Sequence, residues 1–196
     1  MFFYEERGVF ILMINEYNII DNTSSPGPLG FIGLGLSASL LGLQGMGFFS
    51  DNLVIISMAI FLGGFSQLIA GIQFWKKGDL FSSTAFTSFG LYWLSYAYIL
   101  IAPFGIEIAS SKSIAWYLIF WSLYACGMCI GTLKIKGVAI KLLFLLLTLT
   151  FLLTGLSNLG IQLSVLPALV TLSLGLVSMY ISIASILNSL GYNLQL

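Results

Sequence analysis

The side chains best suited to chemistry in this sequence are hydroxyls within one uncharged stretch, STAFTSFGLYWLSYAYIL, which begins at Ser83. Four of them recur at spacings of three and four, so in a helix they share one face. They are Thr84, Ser88, Tyr92 and Ser95. One interpretation is a wall of hydroxyl donors along a passage for a small polar solute. The other is that these hydroxyls bond to carbonyls of the preceding helical turn. The pattern alone leaves both open.

Two side-chain amides are the other polar groups of interest within apolar segments. Gln67 lies in GGFSQLIAGIQ, near the middle of its segment, where an amide supplies both a donor and an acceptor and needs partners for each. Asn158 lies near the end of a later segment, where it either faces a solute or caps a helix. We regard both as candidates for contact with a solute.

Few residues could support enzymatic chemistry. The sequence has no histidine, and Cys126 and Cys129 form a single C-x-x-C inside an apolar segment. We interpret these cysteines as small side chains that fill a helix contact. The stretch GLGLSASLLG lacks the lysine of a phosphate-binding loop and the strand that precedes one. We expect no enzyme activity, no metal, no cofactor and no nucleic-acid partner.

Composition places the chain in a lipid bilayer. Hydrophobic residues make up 59% of the sequence and charged residues 7%, whereas a soluble domain has about 25% charged residues. A helix that crosses a membrane needs roughly 20 mainly apolar residues. The segments of that kind are Pro28–Phe49, Leu53–Trp75, Thr84–Pro103, Ile114–Leu133, Val138–Ser157 and Ile161–Asn188. We predict an all-α integral membrane protein, with six transmembrane helices in one bundle over residues 26–196 and a cytoplasmic N-terminal tail over residues 1–25.

The distribution of charge predicts the orientation. With six spans, Lys112 is the one basic residue on its side of the membrane, and the other six share the side of both termini. Basic loops stay cytoplasmic, so we predict cytoplasmic termini in a multi-pass protein of the plasma membrane. All acidic residues lie in the tail, the loops or the span ends. The spans therefore lack the deep ionisable residue that proton-coupled transporters usually bury.

Several blocks of the sequence resemble the acetate and succinate transporter family. PGPLGF, residues 26–31, resembles the family signature N-P-[A/V]-P-L-G-[L/F]. GGFSQLIAGIQFWKKGDLFSSTAFTSFGLYWLS, residues 63–95, resembles the family's second block, and GTLK and SNLG are similar to shorter ones. The resemblance implies a six-helix protomer, assembly as a homohexamer, and a pathway through each protomer for acetate and, in some members, succinate.

The resemblance also implies which residues meet the solute. Matching positions give a narrow apolar constriction formed by Leu34, Phe89 and Leu147. The Pro-x-Pro segment opens the first helix beside the pathway, where free backbone amides favour an anion. Together with the candidates above, the predicted pathway residues are Pro26, Pro28, Leu29, Gly30, Gln67, Thr84, Ser88, Tyr92 and Asn158.

Some positions depart from the family pattern. Leu34 and Phe89 stand where members commonly have phenylalanine and tyrosine, so selectivity is expected to differ. Phe74 and Ser185 stand where bacterial relatives have glutamate. A member without these glutamates cannot use them to carry protons, which favours passive or weakly coupled flux.

The leading hypothesis is therefore transport of acetate and related small monocarboxylates or succinate, either channel-like or linked to protons. Two other functions stay open at this stage. A channel for small neutral solutes such as urea or amides fits the uncharged spans equally well. A sensor or scaffold that transports nothing would use the acidic and aromatic tail, which begins MFFYEE.

Overall fold

The structure is a computed structural model that describes residues 23–101 and 109–196. Within these ranges the chain forms six long helices and no strand, so the all-α prediction is confirmed. The helices are α1 Gly27–Gly45, α2 Leu53–Lys76, α3 Leu80–Ile101, α4 Ser111–Thr132, α5 Ala139–Asn158 and α6 Leu166–Ser189. The predicted tail, residues 1–25, lies almost entirely outside the described residues, as does the predicted end of the third span at Pro103.

Most of these helices are long and apolar enough to cross a membrane. Five meet that condition by length and composition, namely α1, α2, α4, α5 and α6. Helix α3 is not among them, because its hydroxyl and aromatic side chains lower its mean hydropathy. With 22 residues it is nevertheless about 33 Å long at 1.5 Å per residue.

The largest differences between the predicted and the observed helix starts are in α3 and α6. Helix α3 begins at Leu80, ahead of the predicted Thr84, because the Asp79 carboxylate accepts a hydrogen bond from the Ser82 backbone N–H at 2.9 Å. Such a bond satisfies a donor that a helix start leaves without a partner. Helix α6 begins at Leu166 rather than earlier, with Pro167 in its first turn, where the fixed φ of proline suits a helix start.

The helices pack in chain order around a central axis. Helix α1 packs between α2 and α6, α3 packs on α2, and α5 packs between α4 and α6. Helices α3 and α4 close the ring through side chains. Ser88 Oγ lies 2.9 Å from the Tyr124 hydroxyl, and Ser95 Oγ lies 2.6 Å from the Tyr117 hydroxyl. The interior of the bundle is therefore the space that all six helices enclose.

Helices α1 and α6 approach each other closely because small residues face each other. A Cβ atom on Gly42 would lie 2.6 Å from the backbone nitrogen of Leu172. One on Gly175 would lie 2.5 Å from the backbone nitrogen of Ser39. Small residues at such contacts let membrane helices pack backbone against backbone. Any larger residue at Gly42 or Gly175 would force the two helices apart.

Two hydrogen bonds fix the beginning of α1 against the end of α6. Ser178 Oγ donates to the Phe31 carbonyl and Ser182 Oγ donates to the Pro28 carbonyl, each at 2.7 Å. These carbonyls lie in the first turns of α1, so the proline segment is fixed at the end of the bundle where α6 ends.

The middle of α2 is a π-helix, Ala59–Ser66. A π-helical turn changes the direction of the side chains that follow it, and such turns occur frequently at functional sites. Ser37 Oγ donates to the carbonyl of Met58, the residue before this segment, at 3.0 Å. The segment ends immediately before Gln67, so it sets the direction in which the Gln67 side chain points.

Candidate permeation pathway

A cavity of about 270 Å³ lies at the end of the bundle where α1 begins and α6 ends. We call it the first chamber. Phe31, Gln67 and Phe86 line it from α1, α2 and α3, and Phe144 and Ser185 line it from α5 and α6. Its walls are mostly apolar, with a few polar side chains.

A second cavity, of about 330 Å³, lies at the opposite end of the bundle, where α5 ends and α6 begins. We call it the second chamber. Its walls carry more polar groups than those of the first chamber, among them Thr154, Ser157, Asn158 and Ser164. Tyr96 faces it from α3.

A space of only about 20 Å³ lies between the two chambers, and we call it the neck. Leu34, Phe89 and Leu147 line both the neck and the first chamber. Another set of residues lines both the neck and the second chamber, namely Leu41, Tyr92, Thr150, Phe151 and Thr171. A void of this size holds about one water molecule, so the chambers are separated by a nearly closed apolar passage.

The structure brings together the three residues expected to form a constriction. Leu34, Phe89 and Leu147 come from α1, α3 and α5, and their exposed fractions are 5%, 4% and 4%. They meet where the neck adjoins the first chamber. Their effect on which solute passes stays a prediction.

Phe89 is held in place by neighbouring aromatic rings. Its ring centroid lies 5.8 Å from that of Trp121, 5.5 Å from that of Tyr124, and 6.3 and 6.2 Å from those of Phe144 and Phe151. Aromatic pairs at such distances stabilise one another beyond the area they bury. The aromatic part of the neck wall is therefore rigid, and the aliphatic part is the part that can move.

Gln67 supplies an unused hydrogen-bond donor at the first chamber. Its side chain is 1% exposed and lines that chamber. Its Nε2 has no hydrogen-bond partner within the part of the chain that the structure describes. Leaving such a donor unsatisfied costs about 1–3 kcal/mol, which makes the Gln67 amide a candidate donor to a solute in the chamber.

The proline segment lies behind the wall of the first chamber. Pro26, Pro28, Leu29 and Gly30 line neither chamber nor the neck. A Cβ on Gly30 would overlap the ring of Phe86, which does line the first chamber. The Leu29 side chain is 40% exposed and so lies at the surface of the bundle. The segment shapes the chamber through Phe86, and direct contact of these residues with the solute stays a prediction.

Of the hydroxyl face of α3, all members but Tyr92 lie apart from the chambers and the neck. Thr84 is exposed. Ser88 Oγ donates to the Thr84 carbonyl at 2.7 Å. It also contacts the Tyr124 hydroxyl in the outer groove between α3 and α4. Ser95 Oγ donates to the Tyr92 carbonyl at 2.8 Å. Of the four hydroxyls, Tyr92 alone reaches the neck. Most of this helix face therefore turns towards α4 and the surface, with its serines bonded to carbonyls of the preceding turn. Contact of Thr84 and Ser88 with the solute stays a prediction.

Helix α5 supplies a polar line that the sequence analysis missed in part. Thr150, Thr154 and Asn158 follow Leu147 at spacings of three and four and all line the second chamber. Asn158 was predicted, and its Nδ2 donates to the Thr154 carbonyl at 2.9 Å. Counting forward from Leu147 at helical spacing would have found Thr150 and Thr154.

Side-chain charge near the pathway is confined to one position. Among the described residues that line the chambers and the neck, Lys136 is the one with a charged side chain, and it is exposed at the mouth of the first chamber. Ser185 lines the same chamber and donates to the Ile181 carbonyl at 2.7 Å. Phe74 stacks on Phe86 at 5.5 Å. Ser185 therefore places a hydroxyl at this chamber, and Phe74 packs against its wall through Phe86.

Two chambers joined by an apolar neck inside a ring of helices are typical of a membrane transport protein. The chain matches the GPR1/FUN34/yaaH family over residues 15–193. It belongs to that family. The resemblance drawn from the sequence blocks is confirmed.

Several relatives of the chain are named as transport proteins. The succinate-acetate/proton symporter SatP of Escherichia coli K12 is 34% identical to the chain over 169 residues, which cover 84% of the chain and 89% of SatP. Acetate permease A of Emericella nidulans is 31% identical over 64% of the chain and 46% of its own length. A Saccharomyces cerevisiae member named ammonia transport outward protein 2 is 35% identical over 63% of the chain and 47% of its own length.

A solved structure of a bacterial acetate channel, SatP, has the same fold. The TM-score is 0.83 at 32% sequence identity, over 87% of the chain and 96% of the channel. Together with the membrane-spanning helices, this match makes the chain a multi-pass membrane protein of a transporter family and not an enzyme.

Proposed function

We propose that the protein carries acetate and related small carboxylates, including succinate, across the plasma membrane through the first chamber, neck and second chamber of each protomer. The observation that carries this proposal is the neck itself. Leu34, Phe89 and Leu147 close an axial passage between two chambers, in a family with members named for acetate and succinate.

The first chamber offers the features that would gather a carboxylate. Lys136 at the mouth supplies a positive charge, which raises the local concentration of an anion. Deeper in the chamber, the unused Nε2 of Gln67 donates to a carboxylate oxygen. The apolar walls accept the methyl group of acetate.

Passage through the neck requires a change in the solute or in the protein. A bare carboxylate in an apolar medium is costly unless it is hydrogen-bonded or hydrated. The neck, at about 20 Å³, has room for about one water molecule and so for no hydrated anion. Either the solute crosses as the neutral acid, or Leu34 and Leu147 move and the neck wets briefly.

Coupling to protons is weak or absent in this proposal. Among the described residues that line the chambers and neck there is no carboxylate side chain to load and release a proton. Ser185 lines the first chamber at one position where bacterial relatives have glutamate. Any proton that crosses would travel on the carboxylic acid itself.

The proposed topology has six spans with both termini in the cytoplasm. At about 33 Å, α3 is long enough for a hydrocarbon core of about 30 Å, and it packs against α2 in the bundle. The end of the bundle that holds the mouth of the first chamber carries Lys76, Lys77, Lys134, Lys136 and Lys141. By the distribution of basic residues, the first chamber opens to the cytoplasm.

The assembly proposed is a homohexamer with one pathway per protomer. It rests on the family resemblance of the sequence. Native mass spectrometry of the purified protein tests it, since a ring of six gives a mass six times that of the chain and any other multiple contradicts it.

A channel for small neutral solutes is the second candidate. The neck carries no formal charge on any of the described residues that line it, so a neutral molecule such as urea would cross without the penalty that an anion meets. One yeast relative is named for ammonia transport. Urea flux that exceeds acetate flux in the same vesicles would favour this candidate.

The test of the proposed function is uptake of labelled acetate into proteoliposomes, with membrane current recorded in parallel. Protein-free vesicles must be subtracted, because acetic acid crosses lipid unaided. Protein-dependent uptake supports the proposal. A current that follows the Nernst potential of acetate means that the anion crosses, and uptake without current means electroneutral passage, as the neutral acid or with one proton. Uptake no faster than in protein-free vesicles contradicts it.

A further inference from the structure

Thr150 carries a buried hydroxyl without a partner. Its side chain is 9% exposed, and Oγ1 makes no hydrogen bond within residues 23–101 and 109–196. Hydroxyls in apolar helices ordinarily donate to a carbonyl of the preceding turn. Thr148 and Thr171 do so, with Oγ1 at 2.8 Å from the carbonyls of Phe144 and Pro167. Thr150 therefore departs from the pattern that its neighbours follow.

The Thr150 side chain lies where the neck meets the second chamber. It lines both the neck and the second chamber. It lies one helical turn beyond Leu147 on the same face of α5, and Leu147 lines the neck and the first chamber. Thr150 is thus a hydrogen-bonding group at the exit of the neck, on the far side of the constriction.

Gln67 occupies the corresponding place on the near side. It lines the first chamber and does not line the neck. Gln67 Nε2 and Thr150 Oγ1 are the two buried side-chain nitrogen and oxygen atoms without a partner among the described residues. Along the axis the order is the Gln67 amide, the apolar side chains of Leu34, Phe89 and Leu147, and then the Thr150 hydroxyl.

We propose that Thr150 is a specificity-determining residue, whose hydroxyl hydrogen-bonds the carboxyl group of the solute as it leaves or enters the neck from the second chamber. This inference rests on the proposed carboxylate transport and adds to it the group that receives the solute beyond the constriction.

The chemistry of a hydroxyl suits either protonation state of the solute. It donates to a carboxylate or carbonyl oxygen, and it accepts from the O–H of a neutral acid. A solute with a small apolar end and one carboxyl group can keep its apolar end among Leu34, Phe89 and Leu147 while its carboxyl group bonds to Thr150. That arrangement reduces the time for which the carboxyl group has no polar partner, which is the costly part of the crossing.

The test compares three variants in proteoliposomes, with wild type measured alongside. Thr150→Val keeps the shape of the side chain and removes the hydroxyl, Thr150→Ser restores a hydroxyl, and Thr148→Val removes a hydroxyl that already has a partner on the same helix. We expect Thr150→Val to lower kcat/KM for labelled acetate about five- to tenfold, Thr150→Ser to recover most of it, and Thr148→Val to match wild type. The unfolding temperature of Thr150→Val should equal that of wild type or exceed it.

Other outcomes overturn the inference in distinguishable ways. Thr150→Val with wild-type kcat/KM, beside an active wild type, shows that the hydroxyl has no part in transport and leaves the proposed function intact. An equal loss in Thr148→Val shows a general effect of hydroxyl loss on α5. A wild type that carries no acetate overturns the proposed function and this inference together.

Discussion

Phe89 and Phe151 stack in the wall of the neck, with ring centroids 6.2 Å apart and planes inclined by 20°. Trp121 contacts both rings, at 5.8 and 6.2 Å. One side chain in such a cluster cannot rotate without displacing the others, because protein interiors are packed to crystal-like density. Any widening of the neck must therefore come from its aliphatic side chains, among them Leu34 and Leu147.

Shortening Leu34 or Leu147 should widen the neck. We expect Leu34→Ala and Leu147→Ala each to raise acetate uptake and to admit longer monocarboxylates such as butyrate. Uptake of a series of labelled acids of increasing length measures this. Because a buried Leu→Ala change costs about 2–5 kcal/mol, the milder valine variants should be measured too. Leu145→Ala, at an exposed position of α5, is the control and should keep the wild-type size limit. An unchanged size limit in both neck variants would remove these residues from the constriction.

Removing the amide of Gln67 should impair transport without harming the fold. Gln67→Leu deletes a buried donor that has no partner among the described residues, so the unfolding temperature should stay level or rise. Acetate uptake at low concentration should fall about fivefold or more, because the carboxyl group loses a hydrogen bond in the first chamber. Gln73→Leu, at an exposed position on the same helix, serves as control. Unaltered uptake in a stable Gln67→Leu protein would argue against solute contact at this amide.

Lys136 should act on transport through its charge. Lys136→Gln should lower the uptake of acetate anion from the side on which the first chamber opens, most strongly at low ionic strength. The difference from wild type should shrink as salt is added, because the screening length falls from about 30 Å at 0.01 M to about 8 Å at 0.15 M. Lys112→Gln, at the other end of the bundle, tests whether the loss of any exposed lysine lowers acetate uptake in the same way. A loss that does not depend on salt would point to a structural effect instead.

The close contact of α1 and α6 should be sensitive to a single methyl group. Gly42→Ala places a Cβ 2.6 Å from the Leu172 backbone nitrogen. We expect it to destabilise the protein by about 1–3 kcal/mol, as overpacking does. Gly127→Ala adds the same methyl group where no atom lies within 4 Å, and it should leave the unfolding temperature unchanged or raise it, because alanine favours a helix more than glycine does. Thermal unfolding in one detergent compares the two, and equal unfolding temperatures would contradict the packing described here.

Much of the fold could be predicted from the sequence, because apolar segments of membrane length have few alternatives to helices. The start of α3 at Leu80 was missed because it depends on one hydrogen bond to the Asp79 carboxylate, which no hydropathy pattern shows. The π-helical middle of α2 was missed for a similar reason, since Ala59–Ser66 is a regular apolar stretch by composition.

The pathway was predicted best where the residues are buried and apolar. Leu34, Phe89 and Leu147 meet at the neck, and Gln67 faces the first chamber. Thr84 and Ser88 lie outside the chambers and the neck, which could not be predicted because spacing shows which residues share a helix face but not which way that face points. The rotation of α3 follows from its contacts with α2 and α4, which depend on the whole bundle.

The most direct measurement of the central claim, passage through the neck, is chemical block of that neck. Leu147→Cys is made in a protein whose Cys126 and Cys129 are replaced by serine, so that a thiosulfonate reagent entering the first chamber meets one thiol. Leu145→Cys, at an exposed position on the same helix, is the matched control. Modification of Leu147→Cys should abolish acetate uptake, and acetate should slow the modification. Modified Leu145→Cys should still transport acetate. Full modification of Leu147→Cys, measured by mass spectrometry, with undiminished acetate uptake would contradict it.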